Sequence, residues 1–301
     1  MVGQMTDLKT SPSRKKWIDA AKGIAILMVI MVHLSQCLPN LWRPAKVAAS
    51  FGAMGVQLFF IMSAYSLCQT WRRPKSYASY LIRKYRRLLP WYCVGIIVYA
   101  LYWFVKGGDE LENFTPGNIV ANVLLINALI PSAQNSIVPG GWSISCIALF
   151  AFAYPAVAES DVRRKLQVLF GFGLVGVVVS AVGYCFFRWD RFFTYCSPLN
   201  QGVIFAVGVA FWHLKPTILR GRGRICAIIS IACFLLAACA VIFDREHAIL
   251  YRQILMAVSF ALVLPSLERV ENLVPRPLLW LGRHSYEIFI LHFAGIWLLL
   301  K

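Results

Sequence analysis

Acidic residues are scarce in this chain, 13 Asp and Glu against 30 Lys and Arg, and charges of both signs make up only 14% of its 301 residues. Soluble domains are about a quarter charged. That shortfall, with 59% hydrophobic residues and a mean hydropathy of +0.65, excludes a soluble globular fold. Nine cysteines are present but no Cys-x-x-Cys pair, so neither a zinc framework nor a redox dithiol is written here. The thiols fall mostly in or beside apolar runs, as small buried hydrophobes do. No internal repeat is visible, and no metal is called for. No small-residue cleavage site follows the first apolar run, which is therefore a retained anchor and not a removed signal peptide. The net charge of +17 sits in no soluble basic domain with interleaved aromatics, so it does not point to nucleic acid.

What is present is a series of apolar runs, at 18–37, 51–70, 89–105, 117–131, 142–158, 166–187, 200–213, 225–243, 250–267 and 278–300. The fourth and seventh are short for a crossing, which needs about 20 residues. None alternates as barrel strands do, so the expected fold is all-α, a polytopic transmembrane helical bundle of about ten helices in the lipid bilayer. Residues 1–16 read as a cytoplasmic N-terminal tail and 17–301 as one membrane domain. Basic loops at 72–87 and 215–224 mark the cytoplasmic side with the N-terminus, and an acidic loop at 106–112 marks the other. Charges at Arg163, Arg164 and Lys165 favour a single crossing by 117–158, whereas a count of ten segments favours two; two is the expectation carried forward.

His33 stands out because it lies inside the first apolar run, where an ionisable group costs about 2.5–3.5 kcal/mol when charged and usually faces a protein interior. Lys22 precedes it by eleven residues, about 16 Å of helical rise and within roughly 20° of the same face. Asp19, three residues earlier, shares that face. The alternative is a neutral imidazole satisfied by a neighbouring helix.

Four local patterns occur in fixed order. Trp17-Ile18-Asp19-Ala20-Ala21-Lys22-Gly23 runs into His33, and Gly55-Val56-Gln57-Leu58-Phe59-Phe60 leads to Ser63-Ala64. Arg83-Lys84-Tyr85-Arg86-Arg87-Leu88-Leu89-Pro90 stands at a helix entrance, and Gly140-Gly141-Trp142-Ser143 is followed late by Ser285-Tyr286 and His292. Together these resemble the acyltransferase 3 family, membrane proteins that O-acylate sugars from acyl-CoA. The resemblance spans Trp17 to His292. It implies that His33 is the catalytic histidine and that Lys22 stands for the basic residue, more often arginine, of a basic-x10-His motif. It further implies that Arg83, Lys84 and Arg87, with the neighbouring Arg86, form the basic cluster holding the CoA phosphates. Trp142 and Ser143 match the Trp-Ser element, and Ser285, Tyr286 and His292 the Ser-Tyr…His pattern.

The chemistry agrees with those residue types. Acyl transfer to a hydroxyl needs a base for the hydroxyl proton, a donor for the developing oxyanion and a clamp for the phosphates. His33 suits the first and the arginines the last. Each has a plainer reading: topogenic charge for the basic run, an interfacial anchor for Trp142, a packed histidine for His292. Three positions depart from the family pattern. Ile147 replaces a glutamate five residues after the tryptophan, Ala64 a glycine and Ala151 a tyrosine. They imply either an altered acceptor site, with Ser143 or Ser145 supplying the polar contact, or a weakened enzyme.

The expectation is therefore an integral O-acyltransferase of a cell membrane, the bacterial inner membrane by family, moving acetyl from acetyl-CoA to a glycan or lipid-linked sugar. With no hydrophilic domain after Lys301, the bundle or a partner would have to complete the transfer. A non-catalytic transporter or lipid-linked-sugar binder is the competing class.

Overall fold

The structure, a computed structural model, describes residues 15–219, 223–243 and 247–300. Most of the 1–16 tail, and Arg220 and Arg222 of the second basic loop, lie outside the described residues. Among those residues all regular structure is helical. α1 (Lys16–Cys37) is followed by α2 (Arg43–Ser50), which runs through a 3-10 turn into α3 (Gly55–Gln69). α4 (Tyr77–Lys106), α5 (Pro116–Val123), α6 (Gly141–Ala153), the single turn α7 (Pro155–Ala158) and α8 (Val162–Phe186) come next. The chain closes with α9 (Arg191–Cys196), α10 (Pro198–Leu219), α11 (Gly223–Phe243), α12 (Ala248–Arg269), α13 (Arg276–Arg283) and α14 (Ser285–Leu299). Six segments are long and apolar enough to cross a membrane, and the chain is a multi-pass membrane protein.

α1 lies at the centre, packed on α3, α12, α13 and α14. Between apolar helices in lipid, association comes from close packing, which small residues permit. The α1–α13 contact is such a case: a side chain at Gly282 would run into the backbone of Asp19, and one at Gly23 into that of Leu278. The 278–300 run is therefore not one span. It breaks at His284 into α13, which lies along the start of α1, and α14, which rises past it.

The stretch 117–158 passes through the bundle once, not twice. α6 ends beside the start of α4, where Tyr77 and Tyr80 hydroxyls donate to the carbonyls of Phe152 and Ala151 at 3.1 and 2.6 Å. α5 follows the opposite end of α4, so the chain between them makes one traverse as two half-helices. Its irregular middle is satisfied by side chains, as buried backbone must be. Ser145 Oγ donates to Leu125 O at 2.8 Å and accepts from Ala128 N at 3.2 Å, while Gln134 Nε2 donates to Ala128 O at 3.3 Å. Leu125 takes a positive φ of 56°, a conformation costing a branched residue roughly 1–2 kcal/mol.

The basic segments are not plain loops. Arg83 to Arg87 lie on α4, which begins twelve residues before the apolar run, behind a Ser76/Ser79 capping box. Lys215 is inside α10 and only 7% exposed. Its Nζ lies 2.6 Å from Glu268 Oε2, donates to Tyr65 Oη at 3.3 Å and sits 4.5 Å from the centre of the Trp17 ring. Lys15 reaches the same carboxylate at 3.7 Å, and Trp17 N donates to Glu271 Oε2 at 3.2 Å. Three helix ends, those of α1, α10 and α12, are thus joined by one charge pair whose lysine is buried and whose glutamate is half-buried.

Candidate active site

His33 and His292, 259 positions apart in sequence, meet in the bundle with ring centroids 5.2 Å apart. Phe293 packs on both, at 4.3 and 4.5 Å. A backbone carbonyl oxygen can only accept, so His292 Nδ1–H donates to Phe289 O at 2.6 Å and that ring presents an unprotonated Nε2. That nitrogen is buried with no hydrogen-bond partner, in a residue 6% exposed. His33 Nδ1 shares a hydrogen bond of 2.9 Å with the side-chain amide of Gln36. His33 is half-buried, so it is the imidazole a substrate hydroxyl can reach. An imidazole held at Nδ1, with its other nitrogen available, is suited to taking and returning a proton.

The other expected residues divide. Asp19 is 2% exposed, and Arg283 Nε donates to its Oδ2 at 3.4 Å, so it docks α13 on α1. Lys22 is half-buried on α1, and about 16 Å of rise separates it from His33. Trp142 is no interfacial anchor. It is buried at the start of α6, edge-on to Tyr195 at 5.4 Å and to Phe60 at 6.2 Å. Ser143 Oγ donates to Gly140 O at 2.9 Å, and Ser145 is bound to the broken crossing, so both hydroxyl protons are spent locally. Ile147 packs against the core.

α4 and α14 are welded around the histidine pair. Tyr286 Oη donates to Leu88 O at 2.7 Å and Tyr99 Oη to Ile290 O at 2.8 Å. Ser285 is buried at the first turn of α14. Gly140, in left-handed conformation with φ 79°, brings the Trp-Ser turn against the ring of Phe289, whose carbonyl holds His292. Tyr286 thus ties the basic run to the helix of His292, six residues or about 9 Å of rise away. In that run Arg83, Arg86 and Arg87 are exposed and have no acidic partner among the described residues, while Lys84 is half-buried. Arg83 and Lys84 rest over the Tyr80 ring at 5.7 and 5.3 Å.

Sequence reasoning missed Gln36, Arg283 and a set of buried amides, Gln57, Gln201 and Gln253. The signal for the amides was present, since each is an uncharged polar residue inside an apolar run.

One functional test follows for Lys22. Lys22→Arg is expected to retain activity and Lys22→Met to lose most of it in membrane assays of acyl transfer; equal turnover of Lys22→Met and wild type would remove the residue from the reaction.

No solved structure matches the chain. It is 24% identical over 321 residues to the peptidoglycan O-acetyltransferase OatA of Listeria monocytogenes serovar 1/2a, covering 93% of this chain and 49% of that protein. It is also 24% identical over 312 residues to a Komagataeibacter xylinus protein named "Putative membrane-bound transacylase BcsY", covering 94% and 73%. The chain thus spans about half the length of the Listeria relative. A family model described as an acyltransferase domain matches residues 15–301, nearly all of the described bundle with the histidine pair inside it, and the chain belongs to the acyltransferase 3 family.

Proposed function

We propose that this chain is a multi-pass membrane O-acyltransferase with a cytoplasmic N-terminus. It takes an acyl group, acetyl, from acyl-CoA on the cytoplasmic side and delivers it to a hydroxyl of a surface or secreted carbohydrate. The observation that carries the reading is the pair of adjacent imidazoles tied, through Tyr286 and Leu88, to a patch of cations with no acidic partner among the described residues. A charged head and a reactive end separated along α14 call for a long donor with phosphates at one end, which CoA is.

The donor, when bound, supplies a thioester-linked acyl group. His33 Nε2 accepts the proton of the attacking hydroxyl as its oxygen bonds to the acyl carbon, Gln36 at Nδ1 steadies the imidazolium that results, and the same proton passes to the CoA sulfur as the carbon–sulfur bond breaks and CoA leaves as the thiol. The arginines clamp the phosphates with their planar forks. Transfer of labelled acetyl from acetyl-CoA to a carbohydrate in membranes containing the protein tests the proposal; absence of transfer would favour the transporter class.

Topogenic charge and a phosphate clamp make different demands on the basic run. Orientation needs only enough positive charge, so Arg87→Lys would be silent if that were the whole role. The clamp needs the guanidinium. Arg87→Lys is expected to raise the acetyl-CoA KM several-fold, and more so when combined with Arg83→Gln. Cysteine-accessibility mapping is expected to show unchanged orientation. An unchanged KM in the double variant would reduce the run to topology.

A further inference from the structure

At the end of the bundle opposite the start of α1, extracytoplasmic in the proposed orientation, aromatic rings run in an unbroken series outward from His33. The Phe293 ring centre lies 4.3 Å from that of His33 and 5.7 Å from that of Trp297. Trp297 packs in turn on Tyr102 at 4.9 Å and Trp103 at 5.1 Å. Tyr99 closes the inner edge, 5.9 Å from Trp297, with its hydroxyl spent on Ile290 O. Lys106 Nζ covers the outer edge, 5.1 Å from the centre of Trp103 and 5.7 Å from that of Tyr102. Phe293 and Trp297 are one turn apart on α14, about 6 Å of rise, and Tyr102, Trp103 and Lys106 come from the last turn of α4.

Aromatic residues at a membrane interface commonly face the headgroups singly, and Phe104, Phe186 and Phe187 are exposed in that way. The ladder differs. Phe293, Trp297, Tyr102 and Trp103 are half-buried, so a ligand can touch them, and they pack on one another in a line that ends at the imidazole a hydroxyl has to reach. The indole N–H groups of Trp103 and Trp297 make no hydrogen bond among the described residues. A flat ring with a negative face and an N–H at its rim matches a pyranose, which carries C–H groups on its faces and hydroxyls round its edge. Charge selects among pyranoses. Gly107, with φ 66°, ends α4 and turns the chain into the exposed carboxylates of Asp109, Glu110 and Glu112, three against one lysine that already rests over two rings. A polyanionic glycan would meet like charge there.

We infer that Trp297, Trp103 and Tyr102 form a stacking platform for a neutral pyranose of the acceptor carbohydrate, which directs a hydroxyl of that chain past Phe293 to His33. The platform presupposes the acyltransferase reading, of which it is the acceptor side.

The test pairs two measurements on the full chain. Binding of cellotetraose, chitotetraose and the acidic tetragalacturonate to detergent-purified protein is titrated by saturation-transfer NMR, and labelled-acetyl transfer to the same sugars is followed in membranes. Wild type is expected to bind the two neutral sugars more tightly than tetragalacturonate. Trp297→Ala and Trp103→Leu are each expected to weaken that binding, and to raise the acceptor KM, about tenfold, as losing one aromatic contact does. The acetyl-CoA KM and the turnover at saturating acceptor should hold. Trp297→Phe keeps a ring face and is expected to lose about threefold or less. The two tryptophans are on different helices, so where one variant fails to accumulate the other carries the test. No binding of either neutral sugar by wild type, tighter binding of tetragalacturonate, or unchanged affinity in the accumulating variants would overturn the platform. A fall in turnover with the acceptor KM unchanged would also overturn it, reducing the rings to support for His33. Neutral-sugar binding that the variants lose, with no transfer by wild type, would uphold the platform and remove the acyltransferase reading.

Discussion

His33→Ala is expected to lower acyl transfer by about 10²–10⁴, the usual loss when a general base is removed, while the protein inserts and accumulates as wild type does. The separation between chemistry and folding follows from the position of the ring. His33 is half-buried and spends only Nδ1, on Gln36 of its own helix, so its removal leaves no partner stranded on another helix and opens space toward Phe293 rather than in the sealed core. His292 behaves differently, since its ring is sealed between Phe289, Phe293 and His33. Labelled-acetyl transfer alongside immunoblotting of the membrane fraction checks the prediction. Near-wild-type turnover in His33→Ala would sink the base assignment, and loss of protein instead of activity would make His33 a packing residue.

The largest effect on folding is expected at the locked helix ends. Removing one partner of a charge pair destabilises most where the charge left behind is buried, as Lys215 is, whereas replacing both by apolar groups is often neutral. Glu268→Ala strands Lys215 against Trp17 and Tyr65, and should sharply reduce the monodisperse protein recovered in detergent. The double variant Glu268→Leu with Lys215→Met should recover much of that loss. A double variant no better than Glu268→Ala would mean that the charge pair is not what joins α1, α10 and α12.

Helical character and bundle class were legible from composition because lipid admits few alternatives. His33 was legible for the same reason: a titratable ring in an apolar run announces itself. Its meeting with His292 was not legible, since no local spacing links residues 259 positions apart and the family resemblance named each histidine without pairing them. The single passage by 117–158 was misread because hydropathy counts apolar residues and cannot see that Ser145, Gln134 and Leu125 hold an irregular backbone between two half-helices. Asp19 was placed on the His33 face by helical geometry correctly, yet periodicity says nothing of which neighbour takes a carboxylate, and Arg283 does. Lys215 looked like loop charge because its acid, Glu268, comes 53 residues later.

The broken crossing bears on how the chain enters the bilayer. An uninterrupted apolar helix satisfies its own peptide groups and can partition into lipid as soon as it leaves the translocation channel. The segment holding α5 and α6 cannot do so: its midsection relies on Ser145 and Gln134 from within and on Tyr85 and Tyr92 of α4, which bond Leu124 O at 2.7 Å and Asn122 Oδ1 at 2.8 Å. During synthesis it has to wait beside α4 until α6 has emerged, and only as an assembled hairpin-like unit is it released to the lipid.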